Sequence, residues 1–129
     1  MTDANDSALP ERTSPPLDAP DAAALIDAVA AWLHDDLLPR SQGADRWTLR
    51  IAANALGVAA REVVAGPAAV EAHAARLAAL GYDTERALCA AIREGIEDDR
   101  FHEVLDAVAA SVADGLAIAN PTYRQPSNA

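Results

Sequence analysis

The stretch RWTLRIAANALGVAAREVV, from Arg46 to Val64, carries the strongest helical pattern in the chain. Two neighbouring apolar rows run along it at intervals of three and four residues. One row holds Trp47, Ile51, Ala55 and Val58, and the next holds Ala52, Leu56, Ala59 and Val63. A stripe this wide is typical of a helix that has neighbours on several sides. The stretch therefore predicts a central helix from about Asp45 to Val64.

Four further helices are predicted around this one, because apolar residues recur at helical spacing on both sides of it. They cover about 20–38, 67–80, 84–94 and 99–119. Their predicted ends coincide with Pro39, Gly66-Pro67, Gly81 and Asn120-Pro121. No segment alternates with a period of two, so no sheet is expected. The short connectors favour an all-α fold of about five helices in an up-and-down antiparallel bundle.

The two ends of the chain differ in composition from the middle. Residues 1–18 are rich in Asp, Ser, Thr and Pro, and such segments bury too little apolar surface to fold. We therefore expect a disordered tail over 1–18, one helical domain over 19–121 and a flexible tail over 122–129. Asp18 is the predicted N-cap of the first helix, with Pro20 in its first turn.

The charge of the chain excludes some partners. Twenty acidic residues oppose ten basic ones, all of them arginine, and the formal net charge is -10. Without a basic stripe there is no source of affinity for nucleic acid or for an anionic membrane. Cys89 is the single cysteine, and no apolar signal segment precedes the helices, so we expect a cytoplasmic protein. The abundance of Ala and Arg suggests a high-GC bacterium.

The polar residues of the central helix are the first candidates for a site. Arg50 and Asn54 are four residues apart on one helical face, and Arg61 follows in the same otherwise apolar segment. Arginine could clamp a carboxylate or phosphate with two hydrogen bonds. The favoured alternative is structural: Arg50 pairs with a buried acid or carbonyl, for which the turn at Asn120 is one source. These four residues form the predicted polar cluster, binding or structural.

Metal binding is the second possibility, and the residues support it weakly. Asp99, His102 and Asp106 share one face of the fifth helix, and His34 precedes Asp35 and Asp36 in the first. A di-iron bundle needs two carboxylate-x-x-His patterns and two further glutamates. The chain offers one such pattern, so we expect no metal and no cofactor.

Catalytic motifs are also missing from the sequence. It contains no nucleophile elbow, no phosphate-binding glycine loop and no CxxC pair. Cys89 lies on the predicted apolar face of the fourth helix, where a buried structural thiol is expected. His73 is expected on a solvated face. Whether the chain is an enzyme stays open, with the balance toward a non-enzymatic protein.

Three stretches resemble an uncharacterised bacterial family, a domain of unknown function. They are RWTLRIAANALGVAARE (Arg46 to Glu62), ALCAAIREG (Ala87 to Gly95) and LAIANPTYR (Leu116 to Arg124). The family's characteristic positions correspond here to Arg50, Asn54, Asn120 and Pro121, while Thr48 stands where relatives often carry histidine. Members are encoded beside, or fused to, aminoglycoside-phosphotransferase-like kinases and acyl-CoA dehydrogenases. The resemblance implies an accessory role in acyl catabolism and no known activity.

Three functions follow from these observations. The first is a non-enzymatic accessory or protein-binding subunit whose partner is kinase-like or acyl-CoA dehydrogenase-like. The second is a small protein that binds an anionic or acyl ligand, or a minor enzyme, using Arg50 and Asn54 in a pocket between helices. The third is a homo-oligomeric structural bundle.

Overall fold

The structure, a computed structural model, describes residues 17–123, and all the regular secondary structure in that range is helical, with no strand. Its four α-helices are α1 (Ala22–Trp32), α2 (Gly43–Ala79), α3 (Glu85–Arg93) and α4 (Phe101–Ala119). A π-helical segment, Leu33–Leu37, and two 3-10 turns, Leu38–Arg40 and Asp98–Arg100, adjoin them. The predicted all-α class is confirmed for these residues. Most of both predicted tails, residues 1–16 and 124–129, lies outside the described residues.

The chain divides into two compact units. The N-terminal unit ends at Ala60 and the C-terminal unit begins at Arg61, so the boundary falls within α2. In the range that the structure describes, the N-terminal unit holds α1 and the first half of α2. The C-terminal unit holds the second half of α2 together with α3 and α4.

The first helix starts later than the sequence predicted. Asp21, not Asp18, is the N-cap: its carboxylate accepts a hydrogen bond of 2.8 Å from the Ala24 amide. Pro20 precedes the helix instead of entering its first turn. Asp21 prevails because its extended backbone places the carboxylate three residues before a free amide, which is the geometry a cap requires.

The first helix also ends in an unexpected way. After Trp32 it widens into the π-helical segment, where the Leu38 amide donates to the Leu33 carbonyl, and then tightens into a 3-10 turn that contains Pro39. Arg46 closes this end by donating from Nη1 to the Leu38 carbonyl at 2.8 Å. The predicted stop near Pro39 is thus confirmed.

The predicted break between the second and third helices is wrong, since α2 continues through Gly66 and Pro67 to Ala79. Proline disfavours a helical residue before it partly by clashing with the Cβ of that residue. Gly66 has no Cβ, and one built there would lie 3.2 Å from the Glu62 side chain. Alanine-rich sequence on both sides supplies high helix propensity, so the helix passes the proline. Five predicted helices therefore become four α-helices within residues 17–123.

The turns on either side of α3 follow from local chemistry. Gly81 and Gly95 have φ values of 87° and 75°, in the left-handed region where glycine is favoured. Gly81 was predicted as the helix end, and the Tyr82 amide donates back to the Leu77 carbonyl across it at 2.9 Å. Thr84 is the N-cap of α3, and its hydroxyl accepts a hydrogen bond from the Ala87 amide.

The core of the C-terminal unit joins three helices. Leu77 of α2 and Leu80, just after its end, pack with Leu88 from α3 and Val104 from α4, and each is at least nine-tenths buried. Tyr82 and Ala107 pack against this cluster. These four aliphatic side chains therefore hold three helices together and position the polar groups described below.

Large apolar side chains elsewhere stay exposed. Trp47, which lies in a predicted apolar row of the second helix, is 62% exposed, and Trp32 of α1 is 51% exposed. Leu25, Val29 and Ile51 are exposed to a similar degree. Within residues 17–123, no helix combines the length and the apolar character needed to cross a membrane.

Candidate functional site

The predicted polar cluster is not assembled as expected. Arg50 and Asn54 are exposed on α2, and neither side chain forms a hydrogen bond or ion pair within residues 17–123. The expected acid or carbonyl partner of Arg50 is therefore not among residues 17–123. The reason is that its stretch of α2 presents an exposed face, where water solvates a guanidinium without cost. Whether Arg50 and Asn54 bind a ligand stays a prediction.

Arg61 takes the role that the sequence assigned to Arg50. Its Nε donates to the Ile118 carbonyl near the end of α4 at 2.7 Å. A helix end leaves carbonyls without partners, so a cation placed there is favourable. Asn120 is the C-cap residue of α4, and its own carbonyl accepts from the Tyr123 amide.

A shallow hollow lies at the start of α2 in the N-terminal unit. Gly43, Arg46, Trp47 and Arg50 line about 290 Å³ of space. Two guanidinium groups and a helix N-terminus lie together here beside an indole, and both the guanidinium groups and the helix N-terminus favour an anionic group. Asn54, the other predicted ligand residue, does not line this hollow.

Both tryptophans belong to rows of exposed apolar residues, one on α1 and one on α2. Leu25, Val29 and Trp32 follow one another at intervals of four and three residues along α1, and Trp47 and Ile51 are four apart on α2. We call these five residues the tryptophan rows. All are between 49% and 62% exposed, so the helical spacing that normally marks a buried face lies at the surface. Exposed apolar residues at such spacing are characteristic of protein-binding surfaces.

The C-terminal unit contains a polar network between three helices. His73 of α2 has Nδ1 3.0 Å from Ser111 Oγ on α4 and Nε2 2.9 Å from Glu85 Oε1 on α3. Arg76, one turn along α2, donates to Ser111 Oγ at 3.2 Å and pairs with Asp114 at 2.7 Å. His73 is half-buried, so its predicted solvated position is wrong: it faces α4 across the helix interface.

The order of atoms in this network matches a nucleophile, a base and an orienting acid. When the imidazole proton is on Nε2, Arg76 donates to Ser111, Ser111 to His73, and His73 to Glu85. The ring is reversed relative to a serine-hydrolase triad, in which Nε2 faces the serine. Arg76 and Asp114 also neutralise each other's charge. Each polar side chain of this network therefore has a hydrogen-bond or ion-pair partner within the chain. The geometry therefore fits a structural link between helices.

A second polar cluster closes the turn before α4. Glu97, 97% buried, accepts hydrogen bonds from the Tyr82 hydroxyl and from Arg100, whose Nε lies 2.5 Å from Oε2. Arg100 also donates to the Leu80 carbonyl at 2.6 Å. The Arg100 guanidinium first, and then the Tyr82 hydroxyl, hold the pKa of Glu97 below its ordinary value. The same contact with Glu97 raises the pKa of Tyr82.

The other residues considered for chemistry lie apart from both clusters. Asp99, His102 and Asp106 are exposed, and His34 contacts Asp35 at the surface. In the part of the chain that the structure describes, no group of three His, Cys, Asp or Glu side chains could hold a metal ion. Cys89 is exposed, so its predicted burial is wrong. The short helix α3 buries Leu88 and Ala91, and Cys89 lies about 100° around the helix from Leu88.

Sequence reasoning missed both polar clusters. One signal was available: His73 and Arg76, Ser111 and Asp114, and Glu97 and Arg100 are each three residues apart, which places each pair on one helical face. The pairing between helices had no such signal. Glu97 lies in a run of acidic residues, and nothing in the sequence distinguishes the buried one.

Comparison with known proteins identifies one family. The model of a family described as Domain of unknown function (DUF6285) matches residues 39–123, well over half of the chain. No curated protein and no solved structure matches. The matched range begins at Pro39 and includes all of α2, α3 and α4.

Proposed function

The chain belongs to this family, DUF6285, and from that premise we propose that it is a non-enzymatic, protein-binding accessory subunit. The observation that carries the proposal is the exposure of the tryptophan rows. The chain has two tryptophans, and both are more than half exposed on helical faces that carry other apolar residues. Tryptophan is enriched among the residues that dominate binding energy at protein interfaces.

The charge of the chain favours a basic partner surface. The described part of the N-terminal unit carries six aspartates and three arginines, and the whole chain has a net charge of -10. Complementary charge accelerates association and excludes acidic partners. The proposed partner is an aminoglycoside-phosphotransferase-like kinase or an acyl-CoA dehydrogenase-like protein, the classes that the sequence resemblance implies.

The remaining features of the proposal follow from the sequence. We place the protein in the cytoplasm of a bacterium, because its one cysteine and its composition fit that compartment. Within each unit we propose that consecutive helices pack in an up-and-down antiparallel manner. We propose that the protein assists acyl catabolism and that its partner catalyses the reaction.

A binding experiment with matched aromatic variants tests this function. The purified chain is titrated, by calorimetry, with the kinase-like and the dehydrogenase-like protein of the same organism. We expect Trp32→Ala and Trp47→Ala to weaken binding by roughly 30-fold or more, the scale for an interface hot spot. Tyr123→Ala is the control, since Tyr123 is also an exposed aromatic residue but lies in the C-terminal unit.

Two results would overturn the proposal. The first is binding that is unchanged in both tryptophan variants, which would place the interface elsewhere. The second is covalent labelling of Ser111 by a fluorophosphonate probe that is lost in His73→Ala, since a reactive serine would make the protein an enzyme.

The hollow beside Trp47 favours a second function, binding of an anionic or acyl ligand. Arg50 has no protein partner within residues 17–123, and it shares the hollow with Arg46 and an indole. Titration with butyryl-CoA, and with inorganic phosphate for comparison, would change Trp47 fluorescence if a ligand enters. Loss of that change in Arg50→Ala, but not in Arg93→Ala, would support this function over protein binding alone.

A further inference from the structure

Helix α4 carries an uncharged stripe along its whole length. Its members are Phe101, Leu105, Val108, Val112, Gly115 and Ala119, which follow one another at intervals of 4, 3, 4, 3 and 4 residues. We call this set the α4 stripe. The four large side chains are between 40% and 51% exposed, and Gly115 and Ala119 are exposed as well. This is the spacing of a coiled-coil seam, and within residues 61–123 nothing covers it.

The stripe tapers from large to small side chains. Phenylalanine and leucine occupy its first two positions, two valines the middle, and glycine and alanine the end. The pairs Phe101 with Ala119, Leu105 with Gly115, and Val108 with Val112 are each centred on position 110. A second copy placed antiparallel across a two-fold axis at that position therefore sets phenylalanine against alanine, leucine against glycine and valine against valine. Cores pack well when large and small residues face each other in this way.

Gly115 gives a second indication, independent of the taper, that another chain packs against α4. Glycine inside a helix lowers its stability relative to alanine. A Cβ built on Gly115 would meet no atom within 4 Å among the described residues, so their packing does not require glycine there. In the antiparallel pair, Leu105 of the second copy approaches this position. A close neighbour from outside the chain explains why the space is left open.

The charges of α4 permit such a pair. Its acidic residues Glu103, Asp106 and Asp114 lie on the far side of the helix from the stripe, at about 3.6 residues per turn. No charged side chain therefore has to be buried between the copies. The net charge of -10 on each chain still opposes association at low salt.

From these observations we infer that α4 is a dimerisation helix, whose stripe pairs antiparallel with the stripe of a second copy. A two-fold pair of this kind uses the same surface on both chains, and the taper makes that surface complementary to itself. A parallel pair would set Phe101 against Phe101 and Gly115 against Gly115, which leaves a gap at the glycine end. The inference is independent of the proposed partner, since it uses α4 and not the tryptophan rows.

Sedimentation of the full-length chain, over a wide concentration range, tests the dimer and its register. We expect a monomer–dimer equilibrium that tightens as salt is added, because salt screens the repulsion between the copies. Val108→Glu and Val112→Arg should each be monomeric alone. Mixed together, they should associate, because the antiparallel register places the glutamate of one chain against the arginine of the other.

Gly115→Leu, with Ala117→Leu as its control, tests the close approach at the glycine. The Gly115 change should weaken the dimer by at least about tenfold through overpacking, whereas exposed Ala117, away from the stripe, should tolerate leucine. A wild-type chain that stays monomeric at every concentration overturns the inference. So does a mixture of Val108→Glu and Val112→Arg that fails to associate while the wild type dimerises. Either result leaves the binding test with Trp32 and Trp47 unaffected.

Discussion

The two units of the chain are stabilised in different ways. In the described part of the N-terminal unit, every side-chain hydrogen bond joins residues at most eight positions apart, as between Arg46 and Leu38. In the C-terminal unit, side chains connect residues 15 to 57 positions apart, as between Arg61 and Ile118. The N-terminal unit exposes both tryptophans, while the C-terminal unit buries leucines from two helices and a valine from a third.

This difference indicates that the two units have different roles: the C-terminal unit holds the fold together, and the N-terminal unit presents a surface for a partner. Long-range polar bonds and a shared apolar core require that the helices of the C-terminal unit hold one arrangement. The N-terminal unit has local bonds and exposed apolar rows, and such a surface gains most when a partner covers it. Substitutions in the core and the polar clusters of the C-terminal unit should therefore change the free energy of unfolding, and substitutions in the tryptophan rows should change binding to the partner.

The largest expected effect comes from a leucine pair. Leu88 is 5% exposed in the core, whereas Leu25 is 54% exposed on α1. We expect Leu88→Ala to lower the free energy of unfolding by about 3 kcal/mol, through lost burial and the cavity left behind. Leu25→Ala should change it by less than about 0.5 kcal/mol. Urea titrations followed by circular dichroism measure both, and equal losses would contradict the distinction between the units.

The second prediction concerns α2, the helix that both units share. Pro67 lies inside it and cannot donate to the Val63 carbonyl. We expect Pro67→Ala to raise the free energy of unfolding by roughly 2 kcal/mol, the helix-propensity gain less the greater freedom of the unfolded chain. If the helix were broken at this point, thermal melts of the variant and the parent would coincide.

A pair of arginines gives the third prediction. Arg61 donates to the Ile118 carbonyl, while Arg50 is exposed without a protein partner in the described range. Arg61→Ala should lower the free energy of unfolding by about 1.5 kcal/mol, the scale of a hydrogen bond to a charged group. Arg50→Ala should change it by less than about 0.5 kcal/mol. A larger loss from Arg50→Ala would show that the N-terminal unit contains a long-range bond after all.

The smallest effect is expected at Glu97, and it depends on pH. Its pKa is lowered in the folded chain, so the ionised form contributes stability above the ordinary glutamate pKa of about 4.3. That contribution is lost as the pH falls through the lower folded value. Glu97→Gln keeps an acceptor for Tyr82 and Arg100 but not the charge. Its melting temperature should fall below that of the parent by a few degrees at neutral pH, and the two should converge only as the pH falls through the lowered folded-state pKa of Glu97.

The matched control for that series is Glu94→Gln, which changes an exposed carboxylate in the same acidic run. It should leave the melting temperature unchanged at every pH. A Glu97→Gln curve that parallels the parent at all pH values would contradict the proposed role of Arg100 in holding the charge.

Most helices were predictable from local rules. The spacing of apolar residues located α4, Gly81 ended α2, and Asn120 with Pro121 ended α4. The errors also have local causes. Gly66 removes the Cβ that would clash with Pro67, so a pair that normally ends a helix is accommodated inside one. Asp21 competed with Asp18 for the same helix start, and their side chains are chemically identical.

The candidate site was less predictable, because its members come from distant parts of the chain. Arg50 and Arg61 both lie on α2 in similar sequence surroundings, and nothing in the sequence shows that Arg61 meets the Ile118 carbonyl of α4. Likewise, the helical spacing of the apolar rows that contain Trp32 and Trp47 is as typical of a buried helix face as of a protein-binding surface. Periodicity shows that a helix has an apolar face but does not show what covers that face.

The sequence by itself determined the helical class, the approximate helix ends and the negative charge, since these depend on propensity, caps and composition over a few residues. The tertiary structure alone decided that Glu97 is buried, that His73 bridges to Ser111 and that Arg61 closes the end of α4. It also decided that the α4 stripe stays exposed. The physical reason is distance along the chain. A hydrogen bond between residues 38 or 57 positions apart depends on how whole helices pack, and that packing is a sum over many weak contacts that no short stretch encodes.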